Sequence, residues 1–347
     1  MKIIALQGRQ IGGGARCFVI AEAGVNHDGD LAVAHQLVDA AADARADAVK
    51  FQTFAPDALA SANAPKAAYQ LRRTAGAESQ REMLRRLSLS REAHVALKDH
   101  AERRGLLFLS TPFDEGSADF LEQLGVAAFK VASGEITNHA FLRHLGRKGK
   151  PLLLSTGMSD LAEVAAAVHA AAAPSLALLH CLSSYPAPPE QANLRAMETL
   201  RRSFEVPVGY SDHTLGSAVM LASVALGAAL VEKHLTLGRD RSGPDHAASA
   251  EPLEFRALVE QIRFVESALG DGVKSVQPAE RETRAVARKS LFAARDLFRG
   301  ERIDEHALRA QRPGTGISPS RLPALIGRVL TRDLPEGALL SESDFRG

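Results

Sequence analysis

The chain has 347 residues, 46% of them hydrophobic and 24% charged, with 42 Lys and Arg against 41 Asp and Glu. That length holds one large α/β domain and a small second one, and the even charge balance gives no basic field to attract nucleic acid. The Ala-rich stretches are too short or too interrupted by charge to span a bilayer, and only Cys17 and Cys181 are present. A membrane protein and a secreted disulfide scaffold are therefore excluded, and a reducing, cytoplasmic setting is expected.

Apolar runs at Cys17–Ala21, Ala48–Phe51, Leu106–Leu109, Ala127–Val131, Leu152–Leu154, Leu176–Cys181, Val206–Gly209 and Ala229–Lys233 read as buried parallel strands. Amphipathic stretches alternate with them: Leu31–Asp43, Arg91–Arg104, Ser117–Leu124, Ala140–Arg147, Leu161–Ala172, Leu194–Arg201, Leu215–Leu226 and Leu253–Leu269. Eight strand–helix units predict a closed (β/α)8 TIM barrel over residues 1–270; an open doubly wound sheet is the alternative if one run is misread. The segment Pro56–Leu89 after the second strand is a long insertion of the kind that shapes substrate pockets.

Residues 271–288 are polar, with Gly272 and Pro278, and read as a linker carrying a short helical piece. In residues 289–347 the pattern Arg295-Asp296-Leu297-x-x-Gly300-x-x-Ile303 recurs as Arg332-Asp333-Leu334-x-x-Gly337-x-x-Leu340. Two copies of strand–turn–strand predict a small, mostly β domain with internal pseudo-symmetry.

The strand ends carry the chemistry. In a barrel of this kind they gather on one face, so distant residues converge there. His213 and His234, each following a strand, could meet on one metal or substrate, with Glu232 as an added oxygen ligand; imidazole suits Mn, Zn, Fe or Ni. Lys50 and Lys130 stand among apolar neighbours, where a lysine needs an anionic partner or a Schiff-base role. Hydroxyls of Thr111, Ser133 and Ser155, with glycine-freed backbone donors, suit phosphate oxygens. Glu22 reads as a general acid/base in the barrel mouth. Asp245, after Gly243-Pro244, is either a turn residue or a contact to a sugar hydroxyl.

Taken together these motifs resemble the sialic acid (N-acetylneuraminate) synthases, over nearly the whole chain. The resemblance rests on Ile20–His27, Lys50-Phe51-Gln52-Thr53, Ser110-Thr111-Pro112-Phe113, Lys130–Glu135, Ser155-Thr156-Gly157-Met158, Gly209–Thr214, Glu232-Lys233-His234 and Gly243–His246. The C-terminal Arg312–Ile317 resembles that family's antifreeze-like (SAF, β-clip) domain. The resemblance implies condensation of phosphoenolpyruvate with an N-acyl mannose-type sugar, N-acetylmannosamine in the leading reading, to a nine-carbon 2-keto acid plus phosphate. It implies a divalent ion on His213 and His234, Mn2+ ahead of Mg2+ or Co2+. Glu22 and Glu232 would handle protons. Lys130, Thr111, Ser133 and Ser155 would bind phosphate, and Lys50 and Ser211 the carboxylate. Gln52, Tyr185, Asp245 and Arg312 would contact the sugar, and the family pattern implies a domain-swapped homodimer. Ser184 stands where many members carry Asn; it keeps a donor for the carboxylate at shorter reach, which a water would bridge.

Ser133-Gly134-Glu135 resembles sialic and legionaminic acid synthases better than the pseudaminic branch. A legionaminic acid synthase acting on 2,4-diacetamido-2,4,6-trideoxymannose is the alternative. A Schiff-base aldolase using Lys50 or Lys130 leaves the two histidines unexplained. A carbohydrate- or ice-binding protein leaves the ionisable strand ends unexplained.

Overall fold

The computed structural model describes residues 2–71 and 78–346, and divides into two compact units, Met1–Gly270 and Asp271–Gly347. The first opens with a hairpin, β1 (Ile4–Leu6) and β2 (Arg9–Ile11). Eight barrel strands then come in order: β3 (Phe18–Gly24), β4 (Ala48–Thr53), β5 (Leu107–Pro112), β6 (Phe129–Val131), β7 (Leu152–Ser155), β8 (Leu176–Cys181), β9 (Val208–Asp212) and β10 (Leu230–His234). After β3 comes α1 (Leu31–Asp43). The insertion after β4 holds α2 (Pro56–Leu59), α3 (Ala68–Leu71) and α4 (Gln80–Leu87) before α5 (Arg91–Arg103). The remaining strands are followed by α6 (Glu115–Leu124), α7 (His139–Arg147), α8 (Leu161–Ala171), α9 (Ala196–Phe204), α10 (Ala218–Ala225) and α11 (Pro252–Leu269).

The sheet order is β5-β4-β3-β10-β9-β8-β7-β6, every described ladder in it is parallel, and β5 and β6 lie side by side to close the ring. The first and last strands thus pair, which makes the (β/α)8 barrel expected from the sequence and rules out the open sheet. Asp30, Ser90 and Asp114 cap the starts of α1, α5 and α6 with side-chain oxygens, as short polar residues before an amphipathic run should.

Strand geometry alternates side chains between the two faces. Outward residues such as Val19, Phe51, Phe108 and Leu154 pack under the helices in the main core. Inward residues Phe18, Ile20, Ala48, Leu107, Leu109, Leu153, Leu179 and Leu230 fill the barrel's lower interior, where Ile4, Leu6 and Ile11 of the hairpin join them as a plug. Asp47 fixes that end: it accepts from Val19 N at 2.9 Å and pairs with Arg9 and Arg263 at 3.1 and 3.0 Å.

The strands extend past the predicted ends. β3 reaches Gly24 and β5 reaches Pro112 because the polar residues that break the apolar pattern still pair in the sheet. Conversely Cys17, Ala127 and Val206 precede their strands. Both cysteines are free and buried, as expected.

In the second unit, α12 (Arg281–Ala287) lies within the segment read as a linker. Backbone carbonyls tie it into the small domain: Ala285 O accepts from Gly314 N at 2.7 Å and Ala287 O from Arg312 Nε at 3.0 Å. The segment therefore belongs to that domain. Strands β11 (Ser290–Ala293) and β12 (Leu308–Gln311) pair antiparallel, as do β13 (Val329–Leu330) and β14 (Phe345–Arg346), with α13 (Leu322–Leu325) between the pairs. The repeat is structural: Leu297 and Leu334 exchange backbone hydrogen bonds at 2.8 Å each way. Asp296 accepts from Glu336 N at 2.8 Å, and Asp333 accepts from Arg299 N at 2.7 Å. Equivalent residues thus make reciprocal contacts about a local two-fold. Gly300 and Gly337 occupy the left-handed region at φ 89° and 79°, which only glycine enters freely.

Candidate active site

Above the apolar plug, the inward positions turn polar. Continuing the same alternation along each strand brings Glu22 of β3, Lys50 and Gln52 of β4, Thr111 of β5, Lys130 of β6 and Ser155 of β7 into one cavity. Cys181 of β8, Ser211 and His213 at the end of β9, and Glu232 and His234 of β10 complete its floor. The cavity measures about 460 Å3. Register makes the convergence definite: Glu22 stands opposite Lys50 on one side and His234 on the other, and Glu232 opposite Ser211.

Four charges lie at the centre, each from a residue no more than 4% exposed. Lys50 Nζ is 2.8 Å from Glu22 Oε2 and 3.9 Å from Glu232 Oε2; Lys130 Nζ is 3.7 Å from Glu232 Oε1. Lys50 also donates to Thr111 Oγ1 at 2.9 Å, and Lys130 to Ser155 Oγ at 2.6 Å. Glu232 accepts from Ser211 Oγ at 3.1 Å, and Gln52 Nε2 donates to Glu22 Oε1 at 3.3 Å.

The two carboxyls respond differently. Burial pushes Glu22 up, Lys50 pulls it back, Glu232 pushes again, and the result is about 7. Burial also raises Glu232, but Lys130 and Lys50 together outweigh it and hold that carboxyl below its ordinary range. Burial would lower Lys50, yet Glu22 and Glu232 raise it; at Lys130 burial wins and the ammonium is lowered.

His213 and His234 face each other with ring centroids 5.5 Å apart, and Tyr185 packs on both, at 4.2 and 5.7 Å. Burial pulls both imidazoles below their usual value, so each is a neutral ligand or acceptor near pH 7. His213 Nδ1 is occupied by Leu182 O at 2.8 Å; a neutral ring donating there keeps its lone pair on Nε2. His234 Nδ1 and Glu232 Oε2 are buried without a hydrogen-bond partner among the described residues, and Asp245 Oδ2 lies 3.9 Å from that nitrogen. Burial raises Asp245 to about 6.

Among the described residues no group of three or more His, Cys, Asp or Glu is arranged to hold a metal ion. His213 and His234 are the residues that could hold one, and two imidazoles alone would leave its other positions to water and substrate.

Behind the histidines, Lys233 and Asp212 point outward and form a buried pair at 2.6 Å, with Lys233 also donating to Thr214 O at 2.8 Å. Sequence reasoning misses this pair because it asks only about the inward face.

Most of the predicted site residues meet here: Ser133, Tyr185 and Asp245 also line the cavity. Ser133 Oγ accepts from Gly157 N at 2.9 Å and lies 3.2 Å from Cys181 Sγ. Ser184 lies just past β8. Its backbone turns tightly, Ser184 N donating to Leu182 O at 2.9 Å, and its hydroxyl donates to Pro186 O at 3.3 Å. It is Ser183, not Ser184, that lines the cavity. Arg312 lies in the C-terminal unit, exposed, on Ala287 O.

Residues 37–274 match the NeuB family, and residues 288–346 match the SAF domain. The chain belongs to the NeuB family. The barrel and the small β domain of this NeuB-family chain correspond to those two matches. It is 45% identical over 332 residues to the N,N'-diacetyllegionaminic acid synthase of Campylobacter jejuni, covering 94% of this chain and 99% of that protein. Against the N,N'-diacetyllegionaminic acid synthase of Legionella pneumophila the identity is 46% over 336 residues, covering 95% and 94%. The crystal structure of N-acetylneuraminic acid (sialic acid) synthetase from Leptospira borgpetersenii, in complex with citrate, superposes with a TM-score of 0.73 at 35% identity, over 81% of this chain and 95% of that one. Among the described residues no helix is long and apolar enough to cross a membrane.

Proposed function

We propose that this chain condenses phosphoenolpyruvate with an N-acylated mannose-type aldehyde sugar and water, releasing phosphate and forming a nine-carbon 2-keto acid. The observation that carries the reading is the floor itself: two buried lysines, two carboxyls driven apart in acidity and two neutral histidines, all at strand ends around one barrel mouth. Among sugars, the two relatives at 45% and 46% identity move the preference from N-acetylmannosamine to 2,4-diacetamido-2,4,6-trideoxymannose, the legionaminic type.

Lys130 with Thr111, Ser133 and Ser155 would bind the phosphate, and Lys50 with Ser211 the carboxylate; charged and neutral donors around an anion are the strong hydrogen-bonding arrangement. The enol carbon of phosphoenolpyruvate bonds to the sugar aldehyde carbon, water adds at C2, and phosphate leaves by C–O cleavage. Glu22, near 7, is fitted to take the water's proton. Glu232 stays ionised and holds both lysines in place. His213 and His234 would hold a divalent ion, Mn2+ before Mg2+ given two nitrogen ligands, which supplies Lewis-acid polarisation of the aldehyde oxygen. Gln52, Tyr185 and Asp245 would orient the sugar. A cytoplasmic homodimer with exchanged small domains, to which Arg312 would contribute in trans, completes the reading. Arg312→Ala mixed with Lys130→Ala should then regain activity in hybrid dimers.

The test is phosphate release from phosphoenolpyruvate with each of the two sugars, Mn2+ present or chelated, and product mass. Chelator-sensitive release with a nine-carbon acid supports the reading; no release with either sugar overturns it.

A further inference from the structure

The cavity has two chemical ends, and the proposed reaction uses only one. Opposite the charged floor, the insertion after β4 builds an apolar wall. Val25, Met83 and Leu87 are 5%, 1% and 1% exposed and form, with Phe54, a small hydrophobic cluster separate from the barrel core. Leu59 of α2, Leu84 of α4 and Phe113 after β5 are partly buried and pack against it, and all three line the cavity. Val25, Met83 and Leu87 line the cavity too, and Leu59, Leu84 and Phe113 are the partly buried members of this apolar lining; Gln70 of α3 and Gln80 of α4 border it with amides. The side chains of Leu59, Leu84 and Phe113 carry no hydrogen-bonding atom.

We infer that this wall selects the sugar, by receiving the apolar ends of a deoxy, acetamido-substituted hexose: the C6 methyl and an acetamide methyl. The inference rests on the proposed condensation and adds the residues that read its second substrate. Phosphoenolpyruvate is small and wholly anionic and belongs at the lysines, so what extends to the wall is the sugar. A methyl there leaves water for carbon neighbours, which is favourable. A C6 hydroxyl, as in N-acetylmannosamine, seated on Leu59, Leu84 and Phe113 gives up its water for carbon neighbours, and is paired only where it reaches the bordering amides of Gln70 or Gln80. An apolar pocket rejects an added hydroxyl only modestly, by about a hundredfold at most, so the wall grades substrates and does not exclude one absolutely.

The experiment compares kcat/KM for 2,4-diacetamido-2,4,6-trideoxymannose and N-acetylmannosamine in the full chain, by phosphate release at saturating phosphoenolpyruvate. The wild type should favour the deoxy sugar by about 10- to 100-fold. Leu84→Gln keeps a good helix former and similar length while adding an amide. It should move the ratio at least about tenfold toward N-acetylmannosamine, and leave the KM for phosphoenolpyruvate within about twofold. Leu59→Gln, on a different helix, should do the same, and Leu84→Met should leave the ratio unchanged. An unmoved ratio in both Gln variants, with activity on the deoxy sugar retained, overturns the wall's role while the condensation stands. A wild type that favours N-acetylmannosamine overturns it equally. Wild-type silence with both sugars is a different result: it overturns the condensation on which the inference rests.

Discussion

Gly157 offers the sharpest test of the phosphate end. Its backbone conformation is ordinary, so replacing it with alanine introduces no φ strain and the effect is purely one of space. A Cβ there would overlap Ser183 Oγ and stand 2.9 Å from Cys181 Sγ and 3.0 Å from Ser133 Oγ, inside normal contact on three sides. Cys181 is 6% exposed and cannot move away freely, so the serines must turn. Ser133 would then lose the 2.9 Å hydrogen bond from Gly157 N that holds its hydroxyl toward the cavity. Overpacking of this size costs about 1–3 kcal/mol of stability. A misdirected hydroxyl removes a hydrogen bond to a charged phosphate worth about 1.5–3 kcal/mol, or roughly 10- to 150-fold in kcat/KM for phosphoenolpyruvate. Gly134→Ala is the control, because a Cβ there meets nothing within 4 Å although Gly134 also lines the cavity. Steady-state phosphate release at saturating sugar should show the loss for Gly157→Ala and a change within about threefold for Gly134→Ala. Wild-type kcat/KM in Gly157→Ala would refute the placement of Ser133 at the phosphate.

Three further perturbations probe the frame. Lys233→Met strips Asp212 of its buried partner and should lower the urea-unfolding free energy by about 3–5 kcal/mol; an unchanged value would show the pair is not buried as described. Tyr210 is fully buried with no hydrogen-bond partner for its hydroxyl among the described residues, so Tyr210→Phe should be neutral or stabilise by up to about 1 kcal/mol, and a clear loss in the same assay would reveal a bond the geometry lacks. Burial pulls His27 down to about 4 from 6.5, so the unfolded chain binds more protons between those values and stability falls as pH drops through that window. His27→Gln should flatten the pH dependence of unfolding between pH 6.5 and 4 by up to about 3 kcal/mol, and equal slopes would discount the histidine.

The floor was legible in the sequence for a physical reason. A strand's period of two is rigid, so Ile20 facing inward obliges Glu22 to do so, and Ala48 obliges Lys50 and Gln52. Lysines inside apolar runs had no solvent-facing option. The small domain's symmetry was equally visible, because Asp296 and Asp333 serve equivalent backbone amides and the chemistry repeats with the fold. Ser184 lies beyond the strand, where a tight turn and not the pleat sets its direction, so the period of two does not say where it points. The insertion was legible as a pocket-shaping segment, but its apolar side chains were not: Val25, Leu59, Leu84 and Phe113 come from separate segments and meet only through tertiary packing.

The proposed division of work between the two central carboxyls follows from their different surroundings. Both are buried, so burial alone cannot distinguish them. Glu232 is flanked by Lys130, Lys50 and the Ser211 hydroxyl, and every one of these favours its anion. Glu22 has one close cation, and Glu232 itself opposes its charge, leaving it near 7. Two titratable groups pushed apart in this way identify the proton carrier as the one nearest the working pH. If Glu22 takes the water's proton, it must first be ionised, so kcat/KM should rise with pH through about 7. Glu22→Gln should lose about 10²- to 10⁴-fold in kcat and with it that rising limb. Glu232→Gln should keep the limb and weaken phosphoenolpyruvate binding, since it loosens both lysines. A limb that survives in Glu22→Gln and vanishes in Glu232→Gln would reverse the assignment.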